Sequence, residues 1–307
     1  MMRAVLLALS ACPAVGRAMD RLPATRRLVR RFVAGTEPED ALAVIQRVHD
    51  GGVSTAVTYL GENVASETEA RGAAAVYLEM LDQLKRRSLP CIPSLKLTHM
   101  GLDVSEGVCM DNMRRILSRA RDHGNRVWID MEQTAYTDRT LGVYAELRRA
   151  FANVACVIQA YLRRSEGDVD RLIELGATVR LCKGAYREPP DRAFRTKAEV
   201  DRSYERLMDR LLSPEARAAG VYPGFATHDP RLIERAGERA RALGVPRDAF
   251  EIQMLYGIRS DLHASIRARG LALRLLVPFG GEWYGYFMRR LAERPANVLF
   301  LLKNLLR

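Results

Sequence analysis

The sequence predicts an α/β protein, a closed (β/α)8 barrel of the TIM type, and three observations support this prediction. The 307 residues fit one such domain, since eight β/α units routinely occupy this length. After Gly52, short β-branched or apolar runs alternate with longer amphipathic stretches, and eight such pairs can be counted. The GxGxxG motif of an open dinucleotide-binding sheet is absent from the sequence. The closed barrel is therefore favoured over a doubly wound sheet.

The eight apolar runs define the predicted strands. They cover residues 53–60, 91–98, 126–132, 154–160, 178–185, 222–227, 250–255 and 273–279. Each run is followed by a helical pattern, for example at residues 168–175, 198–212, 231–243 and 285–293. Glycines stand where helices would stop before the next strand, at Gly124, Gly176, Gly244 and Gly270.

Residues 1–50 are predicted to form an N-terminal helical arm that precedes the barrel domain of residues 51–307. The opening MMRAVLLALSACPAVG imitates a secretory signal, but its apolar run is short. Arginines follow at helical spacing and favour a basic amphipathic arm: Arg17, Arg21, Arg26, Arg27, Arg30 and Arg31. No segment has the apolar length needed to cross a bilayer. The five scattered cysteines predict reduced thiols of a cytoplasmic protein and no metal site.

The chain is basic, with 48 Lys and Arg against 37 Asp and Glu and a net charge of +11. Such a balance can favour nucleic acid, anionic lipid or an anionic cofactor. A solvated arginine-rich surface explains most of it. Because no zinc-finger spacing or aromatic RNA-binding signature is present, nucleic acid is not an expected partner. We expect at most a weak peripheral contact of the basic arm with an anionic membrane surface.

Polar or charged side chains stand at the ends of most predicted strands, which is where such barrels carry their chemistry. They are Glu62, Lys96, Asp130, Gln159, Lys183 with Tyr186, Thr227 with His228, and Gln253. Buried strands do not need such residues. We therefore expect an active site at this end of the barrel.

The segment RLCKGAYREPP places Arg180 inside an apolar strand, with Lys183 and Tyr186 three and six residues later. Internal salt bridges would explain either cation alone, but the three residues together favour an anion site. In FATHDP, Thr227 or Asp229 suits a helix N-cap. At this strand end His228 could hydrogen-bond a cofactor phosphate or ring edge.

The last predicted helix carries adjacent arginines, Arg289 and Arg290, among apolar and aromatic residues. An isolated pair of this kind is usually surface charge. Here the helix follows the eighth strand, so it can lie across the barrel mouth, where guanidinium groups suit bidentate binding of a carboxylate.

Together these segments resemble the proline dehydrogenase family. The likeness runs from about Arg30 to the C-terminus and rests on ordered motifs: TYLGE, PSLKLT, WIDME, IQAYLRR, RLCKGAYREPP, ATHDP, EIQMLYG and YFMRRLAERPAN. The chain ends shortly after the last motif, so it resembles the monofunctional form without a fused aldehyde dehydrogenase.

The resemblance implies noncovalent FAD at the strand ends and oxidation of L-proline to Δ1-pyrroline-5-carboxylate. The hydride passes from proline C5 to flavin N5, and the electrons pass to a quinone. The positions matching substrate-carboxylate residues are Lys96, Arg289 and Arg290, and Asp130 and Tyr186 match residues beside the substrate. Arg180 matches the arginine near flavin N5, and the other cofactor contacts match Gln159, Lys183, Thr227, His228 and Glu293.

Two positions concern closure and specificity. Glu62 matches the glutamate that pairs with the first arginine of the pair, here Arg289, to close the site over substrate. Where the family usually has a tyrosine before the VP or AP dipeptide, this sequence has Leu276. The change can relax discrimination against 4-hydroxyproline, since rejection of an added hydroxyl by shape alone reaches only ~10²-fold. Alternatively, Leu276 repacks and proline stays preferred.

Three alternatives stay open at this stage. One is a flavin dehydrogenase of the same family that tolerates hydroxyproline. Another is a non-redox barrel lyase or aldolase in which Lys183 or Lys96 forms a Schiff base. The third is a basic protein without catalytic activity that binds membranes or nucleic acid, with binding that is lost steeply as salt rises.

Overall fold

A computed structural model describes residues 29–293, in which eight parallel strands close into a barrel. The strands are β1 (Ser54–Tyr59), β2 (Cys91–Leu95), β3 (Val127–Ile129), β4 (Val154–Gln159), β5 (Thr178–Cys182), β6 (Tyr222–Ala226), β7 (Glu251–Leu255) and β8 (Ala272–Phe279). Each strand pairs with the next one along the chain, and β8 pairs with β1 from Ser54↔Arg274 to Tyr59↔Phe279. The predicted TIM-type barrel is confirmed.

Helices lie between the strands and around them. They are α1 (Pro38–Asp50), α2 (Glu67–Arg86), α3 (Glu106–Asp122), α4 (Thr134–Ala150), α5 (Ser165–Glu174), α6 (Lys197–Leu211), α7 (Pro214–Ala218), α8 (Pro230–Ala242), α9 (His263–Ala268) and α10 (Trp283–Glu293). A single 3-10 turn, Ser260–Leu262, precedes α9. The helical ranges expected at 168–175, 198–212, 231–243 and 285–293 correspond to α5, α6, α8 and α10.

Three strands end earlier than the apolar pattern predicts. β2, β3 and β5 stop at Leu95, Ile129 and Cys182 instead of residues 98, 132 and 185. Polar residues begin at these points, and the backbone there leaves the strand ladder for the loops. Lys96, Asp130 and Lys183, which directly follow these strands, therefore lie in the loops at the barrel mouth and not in the barrel wall.

The first and last helices distort the regular barrel. In a regular barrel the eighth helix joins the outer ring, but here α1 packs against the outer side of β1 and β8. The contact joins Ala41, Leu42 and Ile45 to Val57, Val277 and Phe279. α10 packs instead against residues that precede α1 or follow β1 and β7. Its side chains Trp283, Phe287 and Met288 share a core cluster with Phe32, Leu60 and Ile258. This arrangement places α10 at the C-terminal mouth.

Most of the expected N-terminal arm, residues 1–28, lies outside the described part of the chain; its last portion, α1, is helical. Within residues 29–293 no helix has the length and apolar character to cross a membrane. Cys91, Cys109, Cys156 and Cys182 are free thiols.

Candidate active site at the C-terminal mouth of the barrel

Glu62 links two of the predicted carboxylate-binding cations. Its Oε2 lies 2.8 Å from Nζ of Lys96, and its Oε1 lies 3.9 Å from Nη1 of Arg289. Burial alone would raise the pKa of the Glu62 carboxyl, but Lys96 and Arg289 offset this effect and hold the pKa below its usual range. The three side chains form a partly exposed cluster that unites β1, β2 and α10 at the mouth.

His99 packs beneath this cluster. Its ring lies 5.2 Å from the ring of Tyr59, and only 6% of the residue is exposed. Gly61 permits the approach, because a Cβ there would come within 2.3 Å of the imidazole. Burial and the neighbouring Lys96 charge lower the pKa of His99 to about 4, so the ring is neutral near pH 7.

Arg180 projects from β5 into the barrel interior, where it contacts three other strand regions. Its Nη1 donates to Ser94 Oγ at 2.8 Å and to Asp130 Oδ1 at 2.9 Å. Its Nε donates to the Gln253 side-chain oxygen. The guanidinium lies 4.5 Å above the Trp128 ring, a favourable cation–π distance. Burial lowers the pKa of Arg180, and the Asp130 charge opposes that shift.

Nη2 of Arg180 and Oε1 of Gln159 are among the buried polar atoms that have no hydrogen-bond partner among the described residues. The Gln159 amide is held by its Nε2, which donates to the Met131 carbonyl at 2.9 Å. β4 and β5 are adjacent, with Gln159 paired to Cys182. Buried polar atoms are normally satisfied. A donor and an acceptor are thus both available to a ligand.

Lys183 lies in a separate charged group with two aspartates. Its Nζ is 2.5 Å from Asp201 and 3.6 Å from Asp229. Asp229 also accepts from the Arg231 amide at 3.1 Å, so it is the N-cap of α8, as expected. The Asp229 amide donates to Thr227 Oγ1 at 3.1 Å. His228 Nε2 accepts from the Leu255 amide at 2.9 Å, which leaves Nδ1 as its protonated nitrogen.

Tyr186 is mostly buried and lies within electrostatic range of Glu62, Arg289 and Asp130. Burial raises its pKa well above the usual value, and the charges of Glu62 and Asp130 act in the same direction. Its loop is anchored by Glu188, which accepts from the Thr134 amide at 2.8 Å. The loop begins at Gly184 with φ of +106°, and a Cβ there would lie 2.1 Å from the Tyr161 ring.

The remaining predicted residues are on β8 and α10. Residues 273, 275 and 277 of β8 belong to the core clusters with the outer helices, so alternation along the strand turns Leu276 toward the barrel interior. The guanidinium of Arg290 lies 5.3 Å from the Tyr286 ring centre. Glu293 ends α10, and its side chain lies outside the part that the structure describes.

Several interacting residues were not singled out from the sequence. Asp201, on α6, is the partner of Lys183, and Ser94 holds Arg180. Glu251 and Arg274 form a buried ion pair at the opposite end of the barrel interior. The only sequence signal for Glu251 and Arg274 was their charge near the starts of apolar strands. The sequence could not show that they pair, because the two residues lie on different strands. No group of His, Cys, Asp and Glu within residues 29–293 could hold a metal ion.

The fold and this mouth define the chain as a TIM-barrel protein of the enzyme type, with cations and buried unpaired polar atoms at the strand ends. A family model described as proline dehydrogenase matches residues 41–303. The chain belongs to the proline dehydrogenase family.

Known relatives and structures agree with this assignment. Proline dehydrogenase 1 of Bacillus subtilis subsp. natto is 38% identical over 92% of this chain and 92% of its own length. Proline dehydrogenase of Deinococcus radiodurans is 36% identical over 91% of this chain and 90% of its own length. Proline utilization A from Bdellovibrio bacteriovorus, inactivated by N-propargylglycine, superposes with a TM-score of 0.81 at 29% identity. That match covers 88% of this chain and 33% of the longer protein.

Proposed function

We propose that this protein oxidises L-proline, or a close cyclic analogue, to Δ1-pyrroline-5-carboxylate with FAD as cofactor and a quinone as electron acceptor. FAD, when bound, supplies the two-electron acceptor for the hydride that leaves the substrate. The observation that carries the proposal is the buried Nη2 of Arg180, a donor with no acceptor among the described residues, in a barrel whose mouth also holds the Lys96–Glu62 ion pair. The quinone rests on family membership alone.

The residues of the mouth fit a flavin. Arg180 and Gln159 offer a donor and an acceptor in a buried setting, which matches the mixed polar edge of an isoalloxazine ring. The residues that would hold the remainder of the cofactor are Lys183, Thr227, His228 and Glu293. Lys183 would approach an anionic group while it keeps Asp201 as its counter-charge.

Lys96, Arg289 and Arg290 would bind the substrate carboxylate, since charge-assisted hydrogen bonds to carboxylates are strong and directional. Nζ of Lys96 lies 2.8 Å from Oε2 of Glu62, so a substrate carboxylate must share or replace that partner. Arg289 is within 3.9 Å of the same glutamate. We propose that the Glu62–Arg289 pair closes the site once substrate is bound.

Oxidation removes a hydride from C5 and a proton from nitrogen, which leaves a C5=N double bond. Orientation is then the principal contribution of the protein. A carboxylate fixed at Lys96 sets where the ring lies, and Tyr186 and Leu276 border that space. Proline that binds with a neutral nitrogen has already lost one proton to solvent; hydride loss from C5 then leaves a protonated C5=N group, and its N–H proton can pass to solvent afterwards, so no residue has to act as a base.

The Schiff-base alternative is disfavoured by the lysine environments. A Schiff base requires a lysine nitrogen that is free to attack a carbonyl, whereas Nζ of Lys96 and Nζ of Lys183 each contact a carboxylate, at 2.8 Å and 2.5 Å. Tolerance of hydroxyproline remains a second candidate, favoured by the inward position of Leu276, which has no hydroxyl and no aromatic ring.

The test compares L-proline with pyrrolidine, which lacks the carboxylate, in a quinone-coupled assay of the FAD-loaded protein. We expect kcat/KM for proline to fall at least tenfold in Lys96→Met, since a charge-assisted hydrogen bond contributes about 1.5–3 kcal/mol. Pyrrolidine turnover should change less than twofold. Lys85→Met, an exposed position on α2, is the matched control. Equal losses for both substrates would refute the carboxylate role, and a protein that binds no FAD would refute the function.

We also propose a cytoplasmic location with weak contact to an anionic membrane surface. Its support is the net charge of +11 and the arginine spacing of residues 17–31. Co-sedimentation with phosphatidylserine vesicles should be measurable at low salt and lost at high salt, because exposed charges are screened. Binding that is equal with neutral vesicles would contradict the proposal.

A further inference from the structure

A buried chain of side chains runs through the barrel interior to Arg180. It begins with Arg274 on β8, whose Nε and Nη2 bind the two oxygens of Glu251 at 2.8 and 2.9 Å. Glu251 Oε1 accepts from Gln253 Nε2 at 2.6 Å, and Gln253 Oε1 accepts from Arg180 Nε. Glu251 and Gln253 are only 3% and 5% exposed, so water does not substitute for these contacts.

The charge of Glu251 decides which way the Gln253 amide points. A carboxylate ion only accepts hydrogen bonds, whereas an amide has a donor end and an acceptor end. Arg274 holds the Glu251 carboxylate in a two-bond fork, and the carboxylate accepts from the amide nitrogen of Gln253. The amide oxygen must then face Arg180. The ion pair thus fixes an orientation that Gln253 alone leaves free.

The same contacts fix the plane of the Arg180 guanidinium. Of its five N–H donors, the one on Nε goes to Gln253 and those on Nη1 go to Ser94 and Asp130. The two donors on Nη2 are buried and have no acceptor among the described residues. With Nε and Nη1 both held, rotation of the planar group is blocked. Nη2 can point in one direction only.

We propose that Gln253, oriented by the Glu251–Arg274 ion pair, is a positioning residue that aims Nη2 of Arg180 at the bound cofactor. This inference rests on the proposed function for the identity of the cofactor. Glu251 and Arg274 lie near the starts of β7 and β8, away from the mouth, and they act only through Gln253 and Arg180. Their effect is on how well Arg180 stabilises added negative charge on the cofactor after reduction.

Two variants interrupt the chain without changing the net charge of the barrel interior. Gln253→Met removes the acceptor for Arg180 Nε and keeps the side-chain length. Glu251→Met/Arg274→Met removes both members of the ion pair together, and replacement of a whole buried pair by apolar residues of similar volume is often neutral for stability. Thr140→Val is the control, since Thr140 is fully buried and lies on the helix α4, not on a strand of the barrel interior.

The first measurement uses cofactor-free protein and follows the Arg180 Nε–H signal in proton–nitrogen NMR spectra, identified by its absence in Arg180→Lys. In Gln253→Met and in Glu251→Met/Arg274→Met we expect the signal to shift and the exchange of this proton with water to become at least tenfold faster. Thr140→Val should show neither change. An unchanged signal in the two variants would overturn the hydrogen-bond chain. This result does not depend on whether FAD is the cofactor.

The second measurement is the two-electron midpoint potential of the FAD-loaded protein. If Nη2 no longer points at the cofactor, the equilibrium ratio of reduced to oxidised cofactor should fall about tenfold. This change lowers the midpoint potential of a two-electron couple by about 30 mV. Thr140→Val should change this ratio less than twofold. A change below twofold in Gln253→Met, in a protein that binds FAD normally, would overturn the positioning role. Failure of the wild-type protein to bind FAD would instead overturn the proposed function.

Discussion

Acidification should destabilise the fold through His99. This imidazole is buried, and burial together with the charge of Lys96 lowers its pKa to about 4. The unfolded histidine has its ordinary pKa of about 6.5. Between these two values the unfolded chain binds a proton that the folded protein does not. The free energy of unfolding therefore falls as the pH falls through this window. From pH 7 to pH 5 the loss from this one group is about 2 kcal/mol.

Urea denaturation at pH 7 and at pH 5 measures this loss. In His99→Gln the difference between the two pH values should shrink by about 2 kcal/mol relative to the wild-type protein, because glutamine does not titrate. His49→Gln, at an exposed position on α1, should leave the difference in place. If His99→Gln and the wild-type protein lose the same free energy between pH 7 and pH 5, His99 does not carry a lowered pKa and the reasoning fails.

Three further substitutions test the mouth. Asp130→Asn should lower the free energy of unfolding, measured with urea, by about 2 kcal/mol, since it removes the charge that Arg180 contacts at 2.9 Å. The control is Asp103→Asn, which alters a more exposed pair with Arg139 and should lower the free energy of unfolding by about 0.5 kcal/mol. Equal losses in the two variants would contradict this ranking. Glu62→Ala should reduce kcat/KM for proline at least tenfold if the pair with Arg289 closes the site. Unchanged proline affinity and turnover would contradict this role of the pair. Leu276→Tyr should raise the preference for L-proline over trans-4-hydroxy-L-proline about tenfold in steady-state kinetics, whereas an unaltered ratio would show that residue 276 does not set specificity.

The fold could be predicted because its signals are local. Eight apolar runs and the helical patterns between them fix the order of elements, and right-handed βαβ connections then favour a closed barrel. The ends of β2, β3 and β5 were each predicted three residues too late. A polar residue after an apolar run can continue a strand or leave it, and only the surrounding loops decide between the two.

The positions of the site residues were predictable, but many of their partners were not. Lys96, Asp130 and Arg180 could be selected because a charge at the end of an apolar strand needs an explanation. Glu251 could not be joined to Arg274, because that pair depends on the register of β7 against β8, in which Gln253 lies opposite Arg274. Asp201 was equally hidden, since its contact with Lys183 requires the start of α6 to lie above β5.

The replacement of the eighth outer helix by α1 also escaped the sequence pattern. Both helices are amphipathic and of similar length, so neither composition nor periodicity states which one covers β1 and β8. The decision lies in tertiary packing, where Leu42 and Ile45 fill the outer face. As a result α10 is free to bring Arg289 to the mouth.

The most direct test of the proposed chemistry is an anaerobic absorption titration of the FAD-loaded protein with L-proline, repeated with trans-4-hydroxy-L-proline. We expect L-proline to bleach the flavin absorption band and Lys96→Met to need at least tenfold more proline for half-bleaching. Stronger bleaching by the hydroxylated analogue would assign the protein to that substrate. A flavin spectrum that neither compound changes would contradict proline oxidation at this site.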